Sequence, residues 1–439
     1  MNNKVKYSIF IISSLIVIGI TAALVAISVE AESVDSVDDK ESITTTYIPD
    51  DNVEDLSELF VIDGHNDLPY NLYNKLENNL ETFRFSENLS DDPTWGSSAC
   101  ASCFTDLPRL RKGQVGAQFW VAYVSCQVQY KDALGKTLEQ IDVIKRLVKR
   151  YPDDMEFVTT SDGILKAVEN GKIASLIGVE GGHSMDARLS ALRSFYDLGV
   201  RYMTLTHSCN TPWADNSYVD DDKPMIDLTP YGEIVVKEMN RLGMMVDLSH
   251  VSHGVMNKAI EVSRAPVIFS HSSSWSVFNH NRNVHDDTLL LLKDNKGIIM
   301  VNFYSGFVHG KPREATIDHV ANHINHIVDV IGHDYVGVGG DYDGVSLMPT
   351  GLEDVSKYPD LFKYLQNNNP ERWTNENIKK LSSDNFLRVF KEVEKVRDEL
   401  INEEPHQHWI PVEDLDAVND DILWKCRTLT NNVSPSMIA

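Results

Sequence analysis

Residues 174–183, ASLIGVEGGH, place a charged residue at the end of an apolar run. The run at 174–179 is mostly apolar on both faces, as a buried parallel strand requires. Glu180 follows at once, between Val179 and two glycines, where a surface charge is hard to explain. Burying an unpaired carboxylate is costly, and a bound metal ion removes that cost. The stretch therefore predicts a buried strand that ends in a metal ligand.

Seven further apolar runs resemble this one, and most are rich in β-branched residues. Segments with apolar side chains at helical spacing, such as 141–148 and 320–331, lie between them. Eight strands that alternate with helices favour a (β/α)8 barrel of the TIM type over an open sheet. A helix at 376–400, within 350–425, predicts a C-terminal helical extension packed on the barrel. The predicted strands are 59–63, 117–124, 174–179, 202–206, 244–248, 266–270, 298–303 and 336–339.

Imidazole and carboxylate side chains follow most of these strands. In a barrel, the C-terminal ends of all strands meet at one face, where active sites are built. Metal ligands at so many strand ends make a metal-dependent hydrolase site the economical interpretation. The residues concerned are His65, Asp67, Glu180, His207, His250, His271 and Asp341.

The candidate ligands suit two metal ions. Residues i and i+2 of a strand point the same way, so His65 and Asp67 can reach one ion. Glu180 can bridge two ions with its two oxygens. Two metals a few ångströms apart polarise a carbonyl and bring a bridging water toward hydroxide at neutral pH. Asp341 would then carry that proton to the leaving amine. His250 and His271 complete the ligand set.

Other histidines fit supporting or surface roles better. His319 and His323 have the spacing of a metalloprotease helix, but Val320 follows His319 where the HExxH motif needs glutamate. We therefore expect His319, His323 and His326 on the solvated side of their helix. His183 is expected to donate a hydrogen bond from behind the ligands.

The N-terminus carries a targeting signal. Lys4 and Lys6 precede an uncharged stretch whose centre, 9–29, is long enough to span a bilayer. Its length and flanking charges favour a type II anchor with the folded part outside or in a lumen, and a cleaved signal peptide is the alternative. No GPI-attachment signal is visible at the C-terminus. The expected division is signal anchor or signal peptide 1–29, flexible acidic stalk 30–55, folded domain 56–427 and tail 428–439.

Charge and cysteine content agree with an extracytoplasmic protein. The formal charge of −25 argues against nucleic acid as a partner. Five cysteines and the sequons at Asn88 and Asn432 fit export. Cys100 and Cys103 could form half a zinc knuckle, although no second close cysteine pair exists. Cys426 is left over, which predicts an intermolecular bridge.

Four long motifs carry a resemblance to a known family. With them, the chain closely resembles the membrane dipeptidases, also called renal dipeptidases, over residues 59–427. The motifs are VIDGHND at 61–67, IGVEGGH at 177–183, LTHSCNTPWAD at 205–215 and GGDYDG at 339–344.

This resemblance implies a binuclear zinc site in which a bridging hydroxide attacks the peptide bond of a dipeptide. By position, His65 and Asp67 would hold one zinc, His250 and His271 the other, and Glu180 would bridge them.

Three further positions match the family's substrate-contacting residues. His207 would contact the substrate carbonyl and stabilise the tetrahedral intermediate. Arg282, in NRNV at 281–284, would bind the free carboxylate through a bidentate pair. Asp341 would be the acid/base. The family tolerates a C-terminal D-residue, converts leukotriene D4, cleaves cysteinylglycine and opens some β-lactams. A clamp on the carboxylate explains why longer peptides are excluded.

The resemblance also bears on the cysteines. Cys126 and Cys209 match an intrachain disulfide, and Cys426 matches the cysteine that joins two subunits into a homodimer. Cys100 and Cys103 have no counterpart in the mammalian enzymes and could pair with each other. A second mammalian disulfide and the usual GPI tail are missing, which leaves the mode of membrane attachment open.

Two alternatives belong to other classes. A non-peptidase amidohydrolase barrel generally begins with His-x-His and often bridges its metals with a carboxylated lysine, whereas this chain has His65-x-Asp67 and Glu180. A catalytically silent cell-surface binding protein would have lost ligands, and every catalytic position here is filled.

Overall fold

The computed structural model describes residues 59–96, 98–218, 225–411 and 414–415. Within these ranges, no helix combines the length and the apolar character needed to cross a bilayer. The predicted anchor at 1–29 and stalk at 30–55, together with Cys426 and Asn432, lie outside the described residues.

Nine parallel strands form one sheet in the described part of the chain, and eight of them close into a barrel. β2 pairs with β1 on one side and with β4 on the other, and β9 pairs with β1. All eight predicted strands overlap an observed one, so the predicted barrel is confirmed. The strands are β1 Val61–Asn66, β2 Val115–Tyr123, β3 Met155–Phe157, β4 Ile173–Glu180, β5 Val200–Thr204, β6 Met245–Asp247, β7 Ile268–Phe269, β8 Ile298–Val301 and β9 Val336–Val338.

Two details differ from the sequence prediction. β1 continues to Asn66, so His65 lies within the strand and not after it. The short β3 was not predicted. It pairs only with the first residues of β4, outside the closed ring, and three residues are too few to show a periodic pattern.

Helices surround the barrel, and several of them begin at a side chain that accepts from a free backbone N–H group. Thr229 caps the helix Pro230–Leu242 by accepting from the backbone N–H of Gly232, and Gly243 ends it in a left-handed conformation. The predicted apolar faces at 141–148 and 320–331 are buried. The helices are Leu68–Leu76, Leu107–Lys112, Ala133–Arg150, Ser161–Glu169, Leu189–Asp197, Pro230–Leu242, His253–Val262, Asp286–Asn295, Ser305–Val308, Ile317–Ile331, Tyr358–Asn368, Asn375–Lys379 and Asn385–Glu399.

The predicted C-terminal extension closes the lower end of the barrel, where the strands begin. Its helix is nearly continuous from Asn375–Lys379 through a π-helical turn, Lys380–Asp384, into Asn385–Glu399. The Asn385 amide donates to the carbonyl of Val336 at the start of β9. The last helix packs its apolar face against the barrel interior through Phe386, Val389, Phe390, Val393 and Val396.

The described residues contain two disulfides. Cys126 and Cys209 are bonded, which confirms the pairing expected from the family resemblance, and this bond joins the loop after β2 to the loop after β5. Cys100 and Cys103 also pair with each other. The alternative of half a zinc knuckle at Cys100 and Cys103 is therefore wrong.

The helix Asn385–Glu399 closes the barrel, so we expect its buried side chains to contribute to the free energy of unfolding. Phe390 is fully buried, so Phe390→Ala should lower the free energy of unfolding by about 3–5 kcal/mol, because it leaves a cavity beneath the barrel. Lys391, next to it, is exposed, and Lys391→Ala should change that free energy by less than about 0.5 kcal/mol. Urea denaturation measures both. Equal midpoints for the two variants would contradict a closing role for this helix.

Candidate metal centre

The carboxylate of Glu180 lies at the middle of a buried cluster of imidazoles. Its Oε1 is 3.0 Å from Nε2 of His250, 3.3 Å from Nε2 of His271 and 3.5 Å from Nε2 of His65. Glu180 ends β4, His65 lies in β1, and the other two histidines follow β6 and β7. Side chains that the sequence separates widely therefore meet where the strands end.

Two aspartates complete one side of this cluster. Asp67 Oδ2 lies 3.1 Å from Nε2 of His65. Potential ligand atoms of His65, Asp67 and Asp341 all lie within 4.8 Å of one another. Position 344 has no space for a side chain beside Asp67, since a Cβ added to Gly344 would stand 2.1 Å from Asp67 Oδ2.

The loops after β6 and β9 hold two residues of the cluster in an uncommon backbone conformation. His250 has φ +69° and Asp341 has φ +61°, in the left-handed region that non-glycine residues rarely adopt. Such residues cost free energy and persist where the surroundings fix them, often at functional sites. Asn302 contributes by donating from Nδ2 to Asp341 Oδ2 over 2.8 Å.

Burial and charge set the protonation of the cluster. Burial lowers the pKa of His250 and of His271 well below the usual value, so both imidazoles are neutral near pH 7. Burial alone would also lower the pKa of His65, but Glu180 and Asp67 outweigh it and raise that pKa to about 10. Burial raises the pKa of Asp341 to about 6, close to the pH at which a proton shuttle works best.

The residues present fit metal ions. Nε2 of His250 and Nε2 of His271 face each other at 2.9 Å, although two neutral imidazoles can share only one proton there. Asp67 Oδ1 is buried without a hydrogen-bond partner in the described part of the chain. Cations bound in the cluster would satisfy both the facing imidazoles and the Asp67 carboxylate. Neutral imidazoles with carboxylates are a donor set typical of zinc.

The predicted substrate residues lie beside the cluster. The ring of His207 is 4.3 Å from that of His250, and burial lowers the pKa of His207 well below the usual value. Arg282 is only 1% exposed, and its guanidinium donates to the carbonyl of His271 over 3.1 Å. Its Nε has no hydrogen-bond partner among the described residues, so the guanidinium retains capacity for a further acceptor.

The supporting histidines are only partly as predicted. His183 Nε2 donates to the backbone carbonyl of Val124 over 2.9 Å. None of its described hydrogen bonds reaches a candidate ligand, so its supporting role stays a prediction. The prediction that His319, His323 and His326 share a solvated face is wrong for His323. That residue is fully buried and accepts from the backbone N–H of Ser274. The three histidines do share one face of the helix, but the segments that carry Ser274 and Val308 cover this face at His323.

The sequence prediction missed the residues that support the ligands from behind. Tyr202 lies within β5 and contacts His65, and Asp247 within β6 receives a hydrogen bond from Ser270. Asn302, beside Asp341, was missed as well. Polar groups inside an apolar run were the one available signal, and their partners are distant in sequence.

Comparison with known proteins agrees with this geometry. A family model described as membrane dipeptidase, peptidase family M19, matches residues 52–404. Dipeptidase 3 of Mus musculus is 46% identical over 352 residues, which are 79% of this chain and 66% of that protein, just under two thirds of its length. An uncharacterized dipeptidase of Schizosaccharomyces pombe is 46% identical over 352 residues, 76% of this chain and 81% of that protein.

Solved structures share the fold. A metallopeptidase from Rhodobacter sphaeroides, liganded with a phosphinate mimic of the dipeptide L-Ala-D-Ala, is 24% identical with a TM-score of 0.67. The match covers 76% of this chain and 99% of that one. An amidohydrolase from Pseudomonas aeruginosa is 25% identical with a TM-score of 0.59, over 65% of this chain and 91% of that one.

These matches and the cluster around Glu180 lead to one assignment. The family model spans most of the folded part, and relatives from a mammal and a yeast are both 46% identical. The chain belongs to the membrane dipeptidase family, peptidase family M19.

Proposed function

We propose that this protein hydrolyses the peptide bond of dipeptides at a centre that holds two zinc ions. The observation that carries the proposal is the position of Glu180, whose Oε1 lies within 3.0–3.5 Å of three imidazole nitrogens from three different strands. Family membership supports the reaction class. The dipeptide mimic bound by the Rhodobacter sphaeroides structure ends in D-alanine, which supports tolerance of a C-terminal D-residue.

Five residues would hold the metal. His65 and Asp67 would bind one zinc, His250 and His271 the second, and Glu180 both. When bound, the zinc ions would polarise the scissile carbonyl and lower the pKa of water, so that a hydroxide nucleophile is available at neutral pH.

The remaining residues act on the substrate directly. Arg282 would hold the free carboxylate, which limits the site to very short peptides. His207 would donate a hydrogen bond to the carbonyl oxygen as negative charge develops on it. Asp341, oriented by Asn302, would take a proton from the attacking water and deliver it to the amine nitrogen as the C–N bond breaks. Cysteinylglycine, leukotriene D4 and β-lactams present similar groups and are proposed substrates.

We also propose an extracytoplasmic location. The two disulfides support an oxidising compartment. Asn88, in one sequon, is exposed and thus open to glycosylation. Attachment to the membrane through the N-terminal segment and a homodimer linked by Cys426 complete this proposal.

Chelation should reveal the metal requirement. The purified full-length protein should hydrolyse glycyl-D-phenylalanine, lose this activity in a strong chelator and regain it with added zinc. Release of free phenylalanine measures turnover, and circular dichroism controls for folding. Absence of turnover in a folded, zinc-loaded sample would contradict the dipeptidase assignment and favour a non-peptidase hydrolase or a binding role.

The role of Glu180 can be separated from the general effect of removing a buried carboxylate. Glu180→Gln should lower kcat by at least about 10³-fold and reduce the zinc content, since the amide cannot replace a charged bridge. Glu238 is also buried but pairs with Arg193 and Arg241, away from the centre. Glu238→Gln should keep its zinc content and its kcat. Full activity in Glu180→Gln would overturn the proposed bridge.

If Arg282 binds the free carboxylate of the substrate, its replacement should impair hydrolysis only of substrates that have this carboxylate. Arg282→Met should lower kcat/KM for glycyl-D-phenylalanine about 10–100-fold, because one charge-assisted interaction with the substrate is lost. The same variant should hydrolyse glycyl-D-phenylalanine amide as well as the wild type does, since this substrate has no carboxylate to bind. A similar loss on both substrates would show that Arg282 acts on the centre and not on the carboxylate.

A further inference from the structure

The side of His65 that faces away from the centre contacts a buried tyrosine. Nδ1 of His65 lies 3.1 Å from the hydroxyl oxygen of Tyr202, and that hydroxyl lies 3.0 Å from the carbonyl oxygen of Gly64. Both side chains are fully buried. Tyr202 thus joins a candidate zinc ligand to the backbone of the same strand.

The hydrogen-bonding capacity of the groups around Tyr202 determines where the protons lie. The carbonyl oxygen of Gly64 can only accept, so the one proton of the Tyr202 hydroxyl is donated to it. The hydroxyl oxygen then accepts from Nδ1–H of His65. When a metal binds, Nε2 of His65 loses its proton while the proton at Nδ1 stays in place, so that Nε2 presents its lone pair to the centre.

A similar pair of hydrogen bonds connects Nδ1 of His271 to buried polar groups. Nδ1 of His271 lies 2.8 Å from Oγ of Ser270, and this hydroxyl donates to Oδ2 of Asp247 over 2.6 Å. The Asp247 carboxylate also accepts from Oγ1 of Thr204 and from the backbone N–H groups of Ser249 and Ser270. It therefore has no proton to give, and Ser270 must accept from Nδ1–H of His271.

The packing leaves Tyr202 little freedom to move. Its ring lies over Gly178 in β4, where an added Cβ would stand 2.2 Å from Cζ of the tyrosine. On another side it packs against Phe119, which in turn contacts Phe386 of the closing helix. The C-terminal extension thus supports the tyrosine through the barrel interior.

We propose that Tyr202 and the Ser270–Asp247 pair are positioning residues that hold His65 and His271 in the Nδ1–H tautomer, so that both Nε2 atoms are available to zinc. This inference rests on the proposed zinc centre. Tyr202 and the Ser270–Asp247 pair would therefore raise the affinity of the centre for zinc and would take no part in the chemical step.

The test measures zinc affinity in the purified full-length protein. The metal-free protein is titrated with zinc against a chromophoric chelator of known affinity, and its unfolding midpoint is recorded without metal. Tyr202→Phe should weaken the binding of one zinc about 10–100-fold, as expected for loss of an outer partner of a ligand. In ¹⁵N-histidine spectra of the zinc-loaded protein, Tyr202→Phe should lose the signal of one hydrogen-bonded Nδ1–H on a zinc-bound histidine.

Tyr231→Phe is the matched control. Tyr231 is also buried, and its hydroxyl donates to the carbonyl of Ala187, whereas none of its described contacts is with a candidate ligand. This variant should bind zinc like the wild type and lose similar stability. The same comparison applies to Ser270→Ala, which should weaken the other zinc, and to Ser382→Ala, whose hydroxyl bonds the carbonyl of Lys379 far from the centre.

The outcomes separate this inference from the proposed function. Wild-type zinc affinity in both Tyr202→Phe and Ser270→Ala would overturn the inference and leave the zinc centre in place. Equal weakening in Tyr202→Phe and Tyr231→Phe would also overturn it, since the effect would then follow stability alone. A wild-type protein that binds no zinc would overturn the proposed centre and this inference with it.

Discussion

The structure depends on a group of negative charges buried at the mouth of the barrel. Glu180, Asp67 and Asp341 are almost fully shielded from water and lie close together. Ionised carboxylates in such a place repel each other and have lost their hydration, so they require positive charge nearby. His250 and His271 are neutral, and His65 and Arg282 are the cationic side chains that act on these carboxylates. A metal cation would supply further positive charge among them.

Barrel closure is what brings these groups together. The five candidate ligands stand at or just beyond the ends of four strands, β1, β4, β6 and β7. Hydrogen bonding around the ring sets the distances between these strand ends. The left-handed backbone at His250 and Asp341 then aims two of the side chains inward. The left-handed conformation of these two residues therefore costs free energy at the site, and the packed layers beneath it stabilise the fold enough to offset that cost.

Side-chain packing in the lower half of the barrel supports the candidate site in the upper half. The last helix fills the barrel interior with Phe386 and Phe390, which leaves no channel through the middle of the described core. Phe386 touches Phe119, and Phe119 touches Tyr202, which contacts His65. An extension that looks like an appendage in sequence thus supports the geometry of the ligands.

The sequence alone determined the barrel and the candidate ligand set. Buried parallel strands are apolar on both faces, and a charged group directly after such a strand, as at Glu180, stands out against that background. The long motifs carried the family resemblance, and the resemblance in turn pointed to Arg282, which no spacing rule would have selected. These features are local in sequence, so they could be recognised without coordinates.

Only the tertiary structure showed which polar groups stand behind the ligands. Tyr202 and Asp247 lie inside apolar strands and look like core residues, because their partners are distant in the chain. His323 was misplaced for a related reason, since helical spacing does not reveal which side of a helix the rest of the fold covers. Hydrogen-bond partners and burial depend on how the strands close around one another, and that is settled by packing of the whole chain.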